Sequence, residues 1–184
     1  DIIFDHVTNR NIPCFRGDEK NVLERHYQCA KKYGFSTIVR IPSDKPLIDP
    51  TIVDYVIEKF QSNSYDYISN FSVDVNDDDG SISSYPSGTE VEIFSFTALE
   101  TAWKDATSEY DKEHVTPYIY SNPEKFNIFI LKSKKNLYQF RWALDYENDL
   151  KLIRIIISKI QKRPILMNDI LELFEREPDL KKIN

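Results

Sequence analysis

Ser43-Asp44, inside the stretch Val39 to Pro50 (VRIPSDKPLIDP), is the pair best suited by type and spacing to do chemistry. Thr37 to Ile41 (TIVRI) is short, β-branched and apolar, and predicts a buried strand. Asp44 sits just past it, and Asp49-Pro50 then opens a helix, Asp49 as N-cap and Pro50 at the first position. Ligands of open α/β sheets collect at the carboxyl ends of strands. A carboxylate there can hold Mg²⁺ beside substrate phosphates. Ser-Asp before X-Pro is also ordinary turn chemistry, and spacing alone does not separate the two readings.

Other charged residues extend the picture. Glu90 and Glu92 in Gly88 to Phe96 share one face of a predicted strand, because side chains alternate with period two. Paired carboxylates of that kind suit a hydroxyl-rich or cationic ligand, and Glu92 is the favoured candidate for an acceptor pocket; Glu90 reads equally as part of a solvated face. Arg40 and Arg141 flank Asp44 and Asp145, able to grip a phosphate or carboxylate in two-pronged fashion or to neutralise the neighbouring aspartate. His6 and His26 have no motif around them.

These residues sit in an alternating pattern. Asn11 to Arg16 (NIPCFR) predicts a strand, and a helix follows from about Glu19 to Tyr33, closed by Gly34, with Val22, Leu23, Tyr27 and Ala30 facing inward. The strand at Thr37, the helix from Asp49 through Phe60 and a strand at Tyr65 to Phe71 come next. Strand-helix alternation of this kind predicts an α/β fold with a mostly parallel sheet covered by helices on both faces. Glu90 to Phe96 predicts a strand with one wet face, Thr97 to Ala106 and Glu113 to Ser121 helices, and Phe126 to Leu131 and Leu137 to Ala143 further strands. Helices over about Asn148 to Gln161 and Met167 to Arg176 end the chain. Residues 1–160 read as one α/β domain and 161–184 as a helical appendage. Ser72 to Ser87, with its acid run Asn76 to Gly80, reads as a solvated loop tip; it lacks the spacing of a calcium loop.

Composition narrows the partners. The 184 residues carry a net charge of −6, which argues against nucleic acid. Two cysteines, Cys14 and Cys29, make no disulfide framework and fit a reducing cytoplasm. No apolar run reaches the ~20 residues a membrane span needs. The four glycines form neither a G-x-G-x-x-G nor a P-loop cluster, and Asp1 to Asn9 reads as the tail of a helix with nothing before it.

Several blocks line up in order: CFRGDEKNVLERHYQCAKKYG (Cys14 to Gly34), VRIPSDKPLIDP, YDYISN (Tyr65 to Asn70), GTEVEIFSFTALETAW (Gly88 to Trp103), KEHVTPYI (Lys112 to Ile119) and FRWALDYENDLKLI (Phe140 to Ile153). Together they resemble the cytidylyltransferase family that contains spore-coat polysaccharide biosynthesis protein F, related to the synthetases that activate Kdo and sialic acids as CMP-sugars. The resemblance implies a glycosyltransferase-A-like (Rossmann-like) fold and a cytoplasmic enzyme that couples CTP to a sugar or sugar acid and releases pyrophosphate. It implies Mg²⁺ held by Asp44 and Asp145, and CTP contacts at Arg16 and Gly17 of the F-R-G block. It also implies a substrate-binding role for His114. Asp145 follows a predicted strand and precedes a helix, so the two aspartates are expected to meet at one sheet edge; Asp145 can also cap that helix.

Relatives in this family open with a strand and an A-R-x-x-S-x-R-L-P-G-K loop that grips the triphosphate, which this sequence does not contain. The expectation is a chain that keeps the metal side of the site, binds CTP weakly, and is prone to form oligomers such as a homodimer. Two other readings stand beside the enzyme. One is a catalytically silent binding or assembly module. The other is a metal-dependent glycosyltransferase, which would carry Asp-x-Asp after a strand, a pattern neither Asp74-Val75-Asn76 nor Asp77 to Asp79 supplies.

Overall fold

A computed structural model describes residues 1–71 and 85–184. The acid run and Asp74 therefore lie outside the described residues. In chain order the elements begin with helix α1 (Ile2–Thr8), α2 (Val22–Tyr33), strand β1 (Thr37–Arg40), α3 (Pro50–Gln61), β2 (Tyr67–Ser69) and β3 (Glu92–Ser95). They continue with α4 (Phe96–Asp105), α5 (Glu109–His114), α6 (Pro117–Tyr120), β4 (Ile128–Ile130), α7 (Glu147–Lys159), α8 (Met167–Arg176) and a 3₁₀ turn (Pro178–Lys182). The chain divides into two units, one of Asp1–Ile38 with Ser95–Phe126, the other of Val39–Phe94 with Asn127–Asn184.

The first unit is helical. Asn21 caps α2 by accepting from Glu24 N–H at 3.0 Å, and Gly34 ends it at φ 68°. Asp18 accepts from the backbone of Lys20 and Asn21, so α2 starts at Val22, three residues later than its sequence pattern suggests. Leu23, Tyr27 and Ala30 of α2 and Ala98, Leu99 and Ala102 of α4 are buried, and Tyr27 stacks on Trp103 with centroids 4.0 Å apart. Asn11 to Arg16 is irregular rather than a strand: Asn11 turns the chain at φ 57°, and Pro13 has no N–H to give a ladder. The helix expected at Glu113 to Ser121 is instead α5 and α6, separated by a strained turn at Val115.

The second unit carries the sheet, ordered β1-β3-β2-β4. It is mixed: β2 runs antiparallel to β3, pairing Ser69 with Glu92, and parallel to β4, pairing Tyr67 with Ile128. Because β1 is an edge strand, its residues alternate between exposed and half-buried; the buried strand expected here is not observed. The wet face expected on β3 is absent for the opposite reason. An inner position buries Glu92, Ile93 and Phe94 alike. Ile52, Val56 and Phe60, four apart on α3, bury against Ile68 and Ile93. A second core joins Leu152, Ile153 and Ile156 of α7 to Ile170, Leu173 and Phe174 of α8, with Trp142 among them. Asp49 caps α3 through Thr51 N–H at 2.8 Å, and its other oxygen accepts from Met167 N–H at the start of α8, also at 2.8 Å. Leu137 to Ala143 forms no strand; among the described residues Arg141 makes an isolated bridge with Ser87. Among the described residues no helix is long and apolar enough to cross a membrane.

Candidate active site

Four segments of the second unit are knitted together around Asp44. Asn70, just past β2, donates its side-chain N–H to Thr89 O and accepts from Val91 N–H, both at 2.8 Å, extending the β2–β3 pairing through a side chain. This fixes the Gly88 to Glu90 segment. Ser87 donates its N–H to Phe140 O at 3.0 Å and accepts from Trp142 N–H at 2.8 Å, which aligns the Arg141 segment beside it. Leu144 N–H then donates to the Asp44 backbone carbonyl at 2.8 Å. The residue before Asp145 is thus bonded to Asp44, and the two candidate metal ligands lie on neighbouring stretches of backbone.

Each aspartate has a basic partner that also holds a second carboxylate. Lys45 Nζ lies 2.9 Å from Asp44 Oδ2 and 3.3 Å from Glu90 Oε2. Arg141 pairs with Asp145 and, at 3.4 Å, with Asp149. The Asp44 and Asp145 side chains are 32% and 47% exposed, so both carboxylates keep a solvent-facing side. Burial works against the Arg141 cation, but the hydrogen bonds to Asp145 and Asp149 outweigh it and hold its pKa above the ordinary value.

Glu92 is enclosed. Its Oε2 pairs with Arg40 and its Oε1 accepts from Tyr67 OH at 2.7 Å, on the strand alongside. Glu90 instead accepts from Gly88 N–H at 2.6 Å and meets Lys45, so these contacts differ from those of Glu92 although the two glutamates are two residues apart. Arg16, Gly17 and His114 belong to the first unit. Arg16 and Gly17 line an open cavity of about 480 Å³ with Asp1, Phe4, Cys14 and Arg25. Arg16 lies 3.6 Å from Asp1 and over the Phe4 ring. His114 is exposed at the end of α5, its ring tilted on Tyr110 with centroids 4.4 Å apart. Val115 beside it takes φ 76° and ψ −55°, and Thr116 N–H donates to His114 O at 2.9 Å. That is a positive-φ γ-turn, rare and strained for a β-branched residue.

Asp149 is a residue of this cluster that the sequence pattern did not single out. It is the third residue of α7, and its Oδ2 accepts from the N–H groups of Asp145 and Tyr146, both at 2.9 Å. This fixes the backbone of Asp145. An acidic residue at the third position of a helix, reaching back to the N-cap, was the available signal. Burial opposes the charge on Asp149. Hydrogen bonds from Asn184, from the backbone of Asp145 and Tyr146 and from Arg141 outweigh it and hold the pKa at about 2, below the ordinary 3.8. A carboxyl depressed on folding gives stability that is full above its unfolded value and lost as pH falls towards the folded one. Asp149 is therefore expected to contribute roughly 2 kcal/mol at neutral pH that disappears between about pH 4 and pH 2. Urea unfolding from pH 7 down through that range should show Asp149→Asn less stable at pH 7 and with a shallower acid slope; equal slopes would contradict the assignment.

A family model described as Cytidylyltransferase matches residues 2–177. The chain is similar to Uncharacterized protein MJ1063 of Methanocaldococcus jannaschii, 35% identical over 184 residues that cover 99% of this chain and 71% of that protein. It is also similar to Spore coat polysaccharide biosynthesis protein SpsF of Bacillus subtilis, at 27% identity covering 97% of this chain and 71% of that one. Among solved structures, a cytidylyltransferase from Leptospira borgpetersenii serovar Hardjo-bovis superposes with a TM-score of 0.88 at 25% identity, covering 98% of this chain and 73% of that one.

Proposed function

The chain belongs to the cytidylyltransferase family, and on that premise we propose that it transfers CMP from CTP to a sugar, sugar acid or related polysaccharide precursor, releasing pyrophosphate, with Mg²⁺ at Asp44 and Asp145. The observation that carries this reading is the Leu144 N–H to Asp44 O bond, which sets two solvent-facing aspartates on adjoining backbone. The donor set fits magnesium. Both groups are hard carboxylates, and each already pairs with a side-chain cation, Lys45 or Arg141, which shows that the position tolerates positive charge. Among the described residues no three His, Cys, Asp or Glu gather into a cage. Mg²⁺ ordinarily takes one or two carboxylates and completes its shell with water and substrate phosphates.

Bound there, the ion would neutralise phosphate charge during in-line displacement at the α-phosphorus of CTP. The chain's own residues do the positioning. Asp149 holds the Asp145 backbone, and Leu144 fastens that segment to Asp44. Arg141, held by Asp149, presents a guanidinium suited to a phosphate oxygen. Arg40 acts from its pairing with Glu92. Arg16 and Gly17 remain the proposed nucleotide contacts, and Glu92 and His114 the proposed acceptor contacts. The polysaccharide wording in the name of the Bacillus subtilis relative supports an acceptor of that class. The reaction is proposed to run in the cytoplasm, where CTP is available.

The test follows ³¹P NMR of CTP and Mg²⁺ with a panel of sugar acids, amino sugars and sugar phosphates. Pyrophosphate together with a new CMP ester, formed from CTP in preference to UTP or ATP, is expected. Orthophosphate with CDP would mean cleavage at the γ-phosphate in place of CMP transfer and would contradict this reading; no nucleotide consumed with any acceptor would favour a silent binding module.

A further inference from the structure

We infer that Lys45 is a built-in counter-ion for Asp44, anchored by Glu90, which weakens the grip of this chain on a free divalent cation; the inference rests on the reading of Asp44 as a cation ligand. Lys45 is only 11% exposed, and its ammonium lies between Asp44 Oδ2 and Glu90 Oε2 at 2.9 and 3.3 Å. An ammonium taken that far out of water needs compensating charge, and here two carboxylates supply it. Glu90 is itself fixed. Its Oε2 accepts from Gly88 N–H at 2.6 Å, and Gly88 is wedged against Trp142 and Ala143.

The arrangement has a consequence for metal binding. An ammonium and a divalent ion both seek the Asp44 lone pairs, and at such short separations they repel. Lys45 can release Asp44 without becoming an unpaired buried cation, because Glu90 still holds it. Arg141 repeats the pattern, bridging solvent-facing Asp145 to buried Asp149. A free metal ion must therefore compete with Lys45 for Asp44 or bind against the repulsion of its ammonium. An ion arriving with nucleotide phosphates brings negative charge that offsets the ammonium, so the site favours the metal–nucleotide complex over the bare metal.

The experiment measures Mn²⁺ affinity of the full chain without nucleotide, by the electron paramagnetic resonance signal of free Mn²⁺. Lys45→Met and Lys45→Gln should bind Mn²⁺ about tenfold more tightly than wild type. Glu90→Gln should bind it several-fold more weakly, since Lys45 then falls wholly on Asp44. In the Lys45→Met background the same Glu90 change should have a smaller effect. CTP should narrow the gap between wild type and Lys45→Met. Circular dichroism establishes that each variant is folded, and either Lys45 variant suffices. If Asp44→Asn removes Mn²⁺ binding but neither Lys45 variant tightens it, the counter-ion inference alone is overturned. If Asp44→Asn binds Mn²⁺ as wild type does, the metal reading fails and the inference falls with it.

Discussion

Replacing Asp44 by Asn is expected to reduce CTP-dependent turnover by on the order of a thousandfold, with the fold unchanged. Asn keeps the size and turn-forming character of Asp but removes the charge a hard cation requires. The backbone carbonyl of Asp44, which holds Leu144, is untouched by the swap. The carboxylate is 32% exposed and its ion pair is with Lys45, which Glu90 still retains, so stability should change by less than about 1 kcal/mol. Pyrophosphate release and thermal unfolding, measured on the same samples, separate the outcomes. Near-normal turnover would make Asp44 a turn residue and nothing more.

Gly88→Ala should produce the largest loss of stability, about 2–5 kcal/mol, from overpacking and backbone strain together. Gly88 adopts φ 110°, a conformation L side chains rarely take. A Cβ there would lie 2.6 Å from Trp142 Cδ1 and 2.9 Å from the Ala143 nitrogen. Neither can move aside: Trp142 is fully buried against Phe174, and the backbone of Ala143 leads directly to the Leu144–Asp44 bond. Relief by shifting the Ser87 to Glu90 segment would pull Glu90 from Lys45. Turnover should therefore fall along with the unfolding temperature, which for a domain of this size drops by roughly 2–4 °C per kcal/mol. An alanine variant as stable as wild type would show that this close approach is not a constraint.

How far these features were legible in the sequence follows from the range of each interaction. The Asp49-Pro50 helix start, the Gly34 stop and the bounds of α8 rest on nearest neighbours, and local chemistry declares them. The turn that carries Asp44 just past β1 was legible for the same reason. The Asn11 to Arg16 strand failed because apolar content was weighted above Pro13, which cannot join a ladder. The solvent face expected of β3 failed because strand order decides burial, and order is set by partners far along the chain. Glu92, which alternation alone assigns to water, is instead buried with Arg40, 52 residues away, and Tyr67. The Lys45–Glu90 pair spans a similar distance and leaves no periodic trace. Val115 was illegible for another reason: a β-branched residue at φ 76° contradicts its own local preference. The family resemblance, carried by several blocks at once, supplied what no single block could: the family itself.

The central claim, a CTP site whose metal is held by Asp44 and Asp145, is tested most directly by calorimetric titration of CTP into the full chain with and without Mg²⁺. Wild type is predicted to bind CTP at least about tenfold more tightly with Mg²⁺, as expected where the ion bridges carboxylate and phosphate. The Asp44→Asn, Asp145→Asn double variant is predicted to show no such gain. A CTP affinity that ignores Mg²⁺ in the wild type, or a Mg²⁺ gain that survives in the double variant, would contradict the account.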